Sequence, residues 1–259
     1  MKTKKLRLIS IFVFLVISVL ITGCSSQSGS SKKSDKKYVI AMDMNYAPFE
    51  YKENGKWVGI DVELLKAVSK VEHFKYEEKH MNFNGIIPAL QANQVDASLA
   101  AMFITDERKK TLDFSDGYYE SGVGAFANKD NNKINSEKDF LNKTVAVKKG
   151  ESGAAWAEKN QKKYNFKIQY FDDAPALFQQ IANDNADIGL TDYPVVAYRM
   201  TVDKNSGIKM VGKFDKANYG FAVKKGNNEE LLKKFNDGIK KLKANGEYDK
   251  IISKYIKVK

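Results

Sequence analysis

Two stretches of this chain follow the same order of residue types. ALQANQVDASLA (Ala89–Ala100) and FQQIANDNADIGL (Phe178–Leu190) each pass from helix-spaced apolar residues, through an Asn-containing turn, to an aspartate and an apolar strand. Asp96 and Asp187 hold equivalent places. Both can be read as ordinary helix–turn–strand connections, yet two such units of similar size, each inside its own strand–helix alternation, suggest two similar α/β lobes.

The first alternation runs as strand Tyr38–Met42, helix Asp61–Val71 with Asp61 as N-cap, strand Phe74–His80 and helix Gly85–Ala92. Strand Ala97–Met102 and a short capped helix, Thr105–Thr111, complete it. The second begins near Leu141. It predicts strand Thr144–Val147, helix Ser152–Lys162, strand Lys167–Phe171, helix Ala174–Ala182, strand Asp187–Leu190 and helix Tyr193–Met200. A strand at Tyr219–Val223 and an amphipathic helix at Glu229–Asn245 close the chain. The 259 residues suit two units of about 100 residues each. Ligands of open α/β sheets bind at the carboxyl ends of the strands, so two facing units place a site in the cleft between them.

The N-terminus reads as an address. Residues 1–7 are basic, and Leu8–Ile21 is apolar apart from Ser10 and Ser18, too short for a spanning helix of about 20 residues. Ile21-Thr22-Gly23-Cys24 resembles the bacterial lipobox, with Ile where Leu is usual. That resemblance implies a signal peptide over 1–23, cleavage before Cys24 and lipidation of Cys24, which stays on the membrane because more than one acyl chain is carried. Residues 24–37, rich in Ser and Lys, form a flexible tether.

The net charge of +11 does not mark a nucleic-acid binder. Lys2, Lys4, Lys5 and Arg7 lie in the first 23 residues, leaving +7, and no basic stripe interleaves with aromatics. A basic surface lowers the cost of lying near an anionic membrane. One cysteine excludes an intramolecular disulfide, and with two histidines, His73 and His80, no Cys/His metal cluster can be assembled. Both histidines are expected at the surface, and no cofactor, metal or catalytic residue is expected.

Six segments in register carry a resemblance over most of Tyr38–Tyr255: VIAMDMNYAPFEY, WVGIDVELLKAV, MNFNGIIPALQ, ITDERKKTLDFSDGYYESG, VAVKKGESG and ADIGLTDYP. They resemble the polar amino-acid (family 3) solute-binding proteins of ABC transporters, most of all the glutamine-binding members. The resemblance implies a class II periplasmic-binding-protein fold, α/β, with two mixed-sheet lobes joined by two hinge strands. Lobe 1 would comprise 38–117 plus 220–259, lobe 2 123–214, and the hinges 118–122 and 215–219, flanked by Gly117, Gly122 and Gly220. It also implies a monomer that delivers a small polar amino acid to an ABC permease and its ATPase. The protein would be lipid-anchored on the outer face of the cell membrane of a Gram-positive bacterium.

Burying either charge of an α-amino acid without a partner is costly, so its site should supply both signs. By match to the family, Arg108 clamps the carboxylate and Asp192 receives the ammonium. Arg108 alternatively pairs with Glu107 on its own helix, and Asp192 caps the Tyr193-Pro194 helix. Asp43, Tyr46, Phe83 and Lys148 match the side-chain pocket. There the two rings would sandwich an aliphatic stem, Asp43 accept from a carboxamide and Lys148 donate to it; core packing, and a Lys148–Asp43 pair, are the alternatives. Three positions depart from the family. Phe103 stands where a Ser or Thr donates a hydroxyl, Ala101 where a Gly stands, and Glu151-Ser152 where Thr-Gly amides face the carboxylate. An enzyme on the same fold, such as a dehydratase, and a sensor without a permease are the competing functions.

Overall fold

The computed structural model describes residues 36–256. The leader, most of the tether and Cys24 fall outside them. Among the described residues no helix is long and apolar enough to cross a membrane.

In chain order the elements are β1 (Lys37–Met42), β2 (Tyr51–Glu53), β3 (Lys56–Val58), α1 (Ile60–Val71), β4 (Lys75–His80), α2 (Phe83–Gln91), β5 (Ala97–Ser98), α3 (Asp106–Lys109), β6 (Leu112–Phe114) and β7 (Tyr119–Asn128). They continue as β8 (Thr144–Lys148), α4 (Ser152–Tyr164), β9 (Lys167–Phe171), α5 (Ala174–Ala182), β10 (Ile188–Asp192), α6 (Tyr193–Val202), β11 (Ile208–Tyr219), β12 (Ala222–Lys224), α7 (Glu229–Ala244) and α8 (Glu247–Tyr255). One five-stranded sheet has the order β4-β1-β5-β12-β6 and the other β11-β7-β10-β8-β9. Both are mixed: β1 lies parallel to β4 and β5, and β8 to β9 and β10, while β6, β7, β11 and β12 enter antiparallel pairs.

The two lobes repeat one arrangement. β4-β1-β5 in the first corresponds to β9-β8-β10 in the second. The repeat extends to the two aspartates: Asp96 Oδ2 accepts from Val39 N at 2.9 Å, and Asp187 Oδ2 from Thr144 N at 2.8 Å. Each aspartate's own amide returns a bond to the same strand residue. Both carboxylates thus fix the turn that delivers a central strand.

Burial follows position in the sheet. Central β1 is buried on both faces from Ile40 onward, and β4 at the edge alternates half-buried with exposed. Helix α7 buries Leu231, Phe235, Gly238, Ile239 and Leu242, a helical stripe, and turns its lysines outward.

Between the sheets run the ends of β7 and β11, paired antiparallel as Ser121↔Ala217, Glu120↔Asn218 and Tyr119↔Tyr219. Phe103 bridges to Tyr219, and Gly220 N donates to Met102 O, so these ends also join the first lobe. Gly117, Gly122 and Gly220 have no left-handed φ. Each is a close approach: a Cβ on Gly117 would lie 2.6 Å from Asn218 Cβ.

Several sequence expectations need correction. Asp61 is not the N-cap of α1; Gly59 is, at a φ of 129°. Asp61 lies in the first turn, fully buried, its Oδ2 accepting from Ala101 N and Tyr118 Oη, both at 2.8 Å. The strand expected over Ala97–Met102 pairs only at Ala97–Ser98, because the backbone turns left-handed at Ala101. The strand expected at Tyr219–Val223 is two strands that belong to different sheets. His80 is not at the surface: its ring stacks on Trp57 at 3.4 Å, bonded to Asp43 O and Glu78. His73 is exposed.

Candidate functional site

The loops at the carboxyl ends of β1, β5, β8 and β10 bring the site together. β1 delivers Asp43 and then Tyr46; the turn after β5 delivers Ala101 and Phe103; α3 carries Arg108. From the other lobe, β8 ends at Lys148, the next turn holds Glu151 and Ser152, and β10 ends at Asp192. Tyr46, Phe83, Ala101, Phe103, Arg108, Glu151, Ser152 and Asp192 line one narrow space between the lobes. Asp43 and Lys148 pair beside it, on either side of the interlobe boundary.

Arg108 is oriented by its short helix. Thr105 caps α3, its hydroxyl accepting from Arg108 N at 3.2 Å. The guanidinium then donates to Phe103 O at 2.8 Å and, across the cleft, to Gly150 O at 2.9 Å. It does not pair with Glu107, whose carboxylate takes Lys110 at 2.5 Å. Burial lowers the pKa of Arg108, against the opposing pull of Asp192 and Glu151.

Asp192 occupies the N-cap position of α6 but makes no capping bond with its side chain. Its carboxylate turns into the cleft, where Ser152 Oγ donates to Oδ1 and Tyr219 Oη to Oδ2, the latter at 2.6 Å. Burial raises its pKa, while those hydroxyls and Arg108 pull it back.

Lys148 is almost fully buried. Its ammonium pairs with Asp43 and lies 2.9 Å from Glu151 Oε1, over the rings of Tyr46 at 4.5 Å and Phe83 at 5.5 Å. Arg108 also faces Phe83, at 5.5 Å. The two rings that the sequence offered as a sandwich for an aliphatic stem therefore hold cations here. Burial would lower the Lys148 ammonium, but Glu151 and Asp43 more than offset it and its pKa rises. Glu151 Oε2 accepts from Thr191 Oγ1 at 3.0 Å, which contacts Tyr46 Oη at 3.2 Å across the lobes. Burial pushes the Glu151 carboxyl up to about 7, with Lys148 pulling down and Asp192 and Asp43 pushing further.

Phe103 contributes its carbonyl to Arg108, and its ring stacks on Tyr219 at 5.0 Å. Thr191, Tyr219, Glu50 and Asp61 were not singled out as site residues in the sequence. Thr191, one residue before Asp192, had a signal in its place at the end of an apolar strand. Tyr219 and Glu50 reach the site only through the fold. Among the described residues no group of three or more His, Cys, Asp or Glu could hold a metal ion.

Two mixed-sheet lobes with a charged cleft at the strand carboxyl ends define the periplasmic-binding-protein fold, and comparison specifies the family. Residues 38–258 match the model of bacterial extracellular solute-binding proteins, family 3, and the chain belongs to that family. It is 34% identical over 247 residues to the arginine-binding extracellular protein ArtP of Bacillus subtilis (strain 168), covering 95% of this chain and 96% of that one. Among solved structures, an ancestral arginine-binding protein bound to arginine matches with a TM-score of 0.80 at 39% identity, over 85% of this chain and 98% of that one. An ancestral arginine-binding protein bound to glutamine gives 0.78 and 38%, over 85% and 97%. The ancestral amino acid-binding protein AncCDT-1, a precursor of cyclohexadienyl dehydratase, gives 0.78 and 36%, over 85% and 96%.

Proposed function

We propose that the chain is the extracytoplasmic receptor of an ABC importer and closes its lobes on a polar L-amino acid, glutamine being the ligand expected from its motifs. The observation behind this reading is that Arg108 of one lobe and Asp192 of the other line the same cleft. A guanidinium and a carboxylate on separate bodies match the two ends of one zwitterion. Each charge-assisted contact contributes about 1.5–3 kcal/mol, so the pair supplies about 3–6 kcal/mol. Moving a two-state equilibrium from 1:99 to 99:1 takes about 5.5 kcal/mol, so binding alone can drive closure. The paired strand ends at 118–122 and 215–219 serve as the hinges.

Cys24 would anchor the mature, monomeric protein by lipid, leaving residues 24–37 as the tether over a permease and its ATPase. The relatives named above that bind arginine make arginine the second ligand to test. No catalytic role is assigned. Asp43 is paired with Lys148, Asp192 is bonded by two hydroxyls, and Glu151 is held by Lys148 and Thr191, an arrangement that suits holding a ligand. Turnover of a candidate solute would instead favour the dehydratase-like alternative.

The test is a thermal-shift screen of the twenty amino acids on protein beginning at Ser25. Glutamine is expected to raise the melting midpoint, and Arg108→Ala to remove the shift, since it leaves a carboxylate unpaired at about 3–5 kcal/mol. Normal binding by Arg108→Ala would dismiss the clamp.

A further inference from the structure

We propose that Glu151 matches the cleft to the charge of the ligand side chain: ionised, it selects a cationic amino acid; protonated, a neutral amide. This rests on the amino-acid-binding reading above and adds a substrate class to it.

The cleft and its wall hold two cations, Arg108 and Lys148, and three carboxyl groups, Asp43, Glu151 and Asp192. A zwitterion adds one charge of each sign and engages Arg108 and Asp192. What faces its side chain is then one ammonium, Lys148, between two carboxyls, Asp43 and Glu151, all three at most 3% exposed. One negative charge is left over in a buried space. Only two partners cancel it: a positive charge on the ligand, or a proton on one of the carboxyls.

Glu151 is placed to take that proton. Asp43 pairs with Lys148 and also accepts from Met44 N at 2.7 Å. Glu151 shares the ammonium at 2.9 Å and otherwise has one hydroxyl donor, Thr191. The groups facing it are Lys148 at the end of β8, Asp43 and Tyr46 after β1, Thr191 and Asp192 on β10, and Arg108 on α3. Behind Asp43 lie Glu50 and Asp61, two more buried carboxyls that bring no cation. With a carboxyl group at about 7, the proton is gained or lost at modest cost near neutrality. The rings of Tyr46 and Phe83, which already face cations, suit a positive side chain.

L-arginine and L-citrulline test this directly, having the same length and differing by one charge; L-glutamine is a second neutral probe. Titration calorimetry at pH 6 and pH 8, each in two buffers of different ionisation heat, reads affinity and proton count together. The ratio of arginine affinity to neutral-ligand affinity is expected to rise at least about tenfold from pH 6 to pH 8, because a group at about 7 changes its ionised fraction by about that factor. Arginine should release protons near pH 7 and the neutral ligands take them up. Glu151→Gln should flatten the ratio to within about twofold. A pH-independent ratio, arginine failing to bind at pH 8 while glutamine binds, or a Glu151→Gln protein that keeps the pH dependence overturns the inference alone. Absence of binding by any amino acid overturns the receptor reading as well.

Discussion

Ala101 shows how one backbone angle shapes the cleft. It is buried with a φ of 45°, where an L side chain is uncommon, at the position where the resemblance expects glycine. The bond from its amide to Asp61 Oδ2 holds it there. Ala101→Val would put a β-branched side chain in that conformation and should cost about 2 kcal/mol or more. Ala101→Gly should stay within about 1 kcal/mol of the parent, since relief of strain offsets glycine's greater chain entropy. Urea unfolding reads both; a valine variant as stable as the parent would remove the strain from the account. Asp192 teaches a related lesson. Its place before Tyr193-Pro194 reads as a cap in sequence, but two hydroxyls from elsewhere decide where the carboxylate points.

Strands and helices were legible where one periodicity dominated. α5 and α7 appear close to their expected bounds because their apolar residues keep a helical spacing, and β1, a short apolar run between Lys37 and Asp43, β9 and α4 do so as well. β7 and β11 were not expected beyond their hinge portions. β7 (YESGVGAFAN) is buried on both faces over most of its length and so lacks alternation, and β11 breaks register between Met210 and Gly212 and again between Phe214 and Ala217. The hairpin β2–β3 is too short to leave a pattern, and α8 is separated from α7 only by Asn245 and Gly246. The charged members of the site were legible through motif, but not the contacts between them, which cross from one lobe to the other. The seat of α4 is a further case. A Cβ on Gly153 would lie 2.4 Å from the backbone oxygen of Leu190, so helix and strand touch main chain to main chain. Gly153→Ala should push the start of α4 outward and carry Glu151 and Ser152 with it. Ligand affinity is expected to fall at least about tenfold, equivalent to about 1.4 kcal/mol. Unchanged affinity in calorimetry would show that the helix can shift without moving the site.

The buried carboxyls act together on the stability of the ligand-free protein. Burial pushes Asp61 up to about 6 and Glu151 to about 7, and raises Glu50 and Asp192 as well. Unfolded, such groups titrate near 4. The folded state therefore binds more protons between about 4 and 7, and stability is lost as pH rises through those folded values. Lys148, raised from its ordinary value, contributes equally at both ends of this range, and Glu137, Asp139 and Asp237, lowered by their hydrogen-bond partners, act in the opposite sense. The melting midpoint without ligand is expected to be higher at pH 5 than at pH 8, and Glu50→Gln should narrow the gap. A flat or rising profile would contradict the burial argument.

The order β4-β1-β5-β12-β6 places a strand from near the end of the chain in the interior of the first sheet. Among the described residues β6 pairs with β12 alone. As the chain emerges from the ribosome or the export channel, the residues of the second sheet, from Tyr119 to Tyr219, are all available before Ala222 arrives. The second lobe can assemble unaided, whereas the first must wait with an unfilled slot, and a chain cut short by its last forty residues would have one finished half and one that can never close.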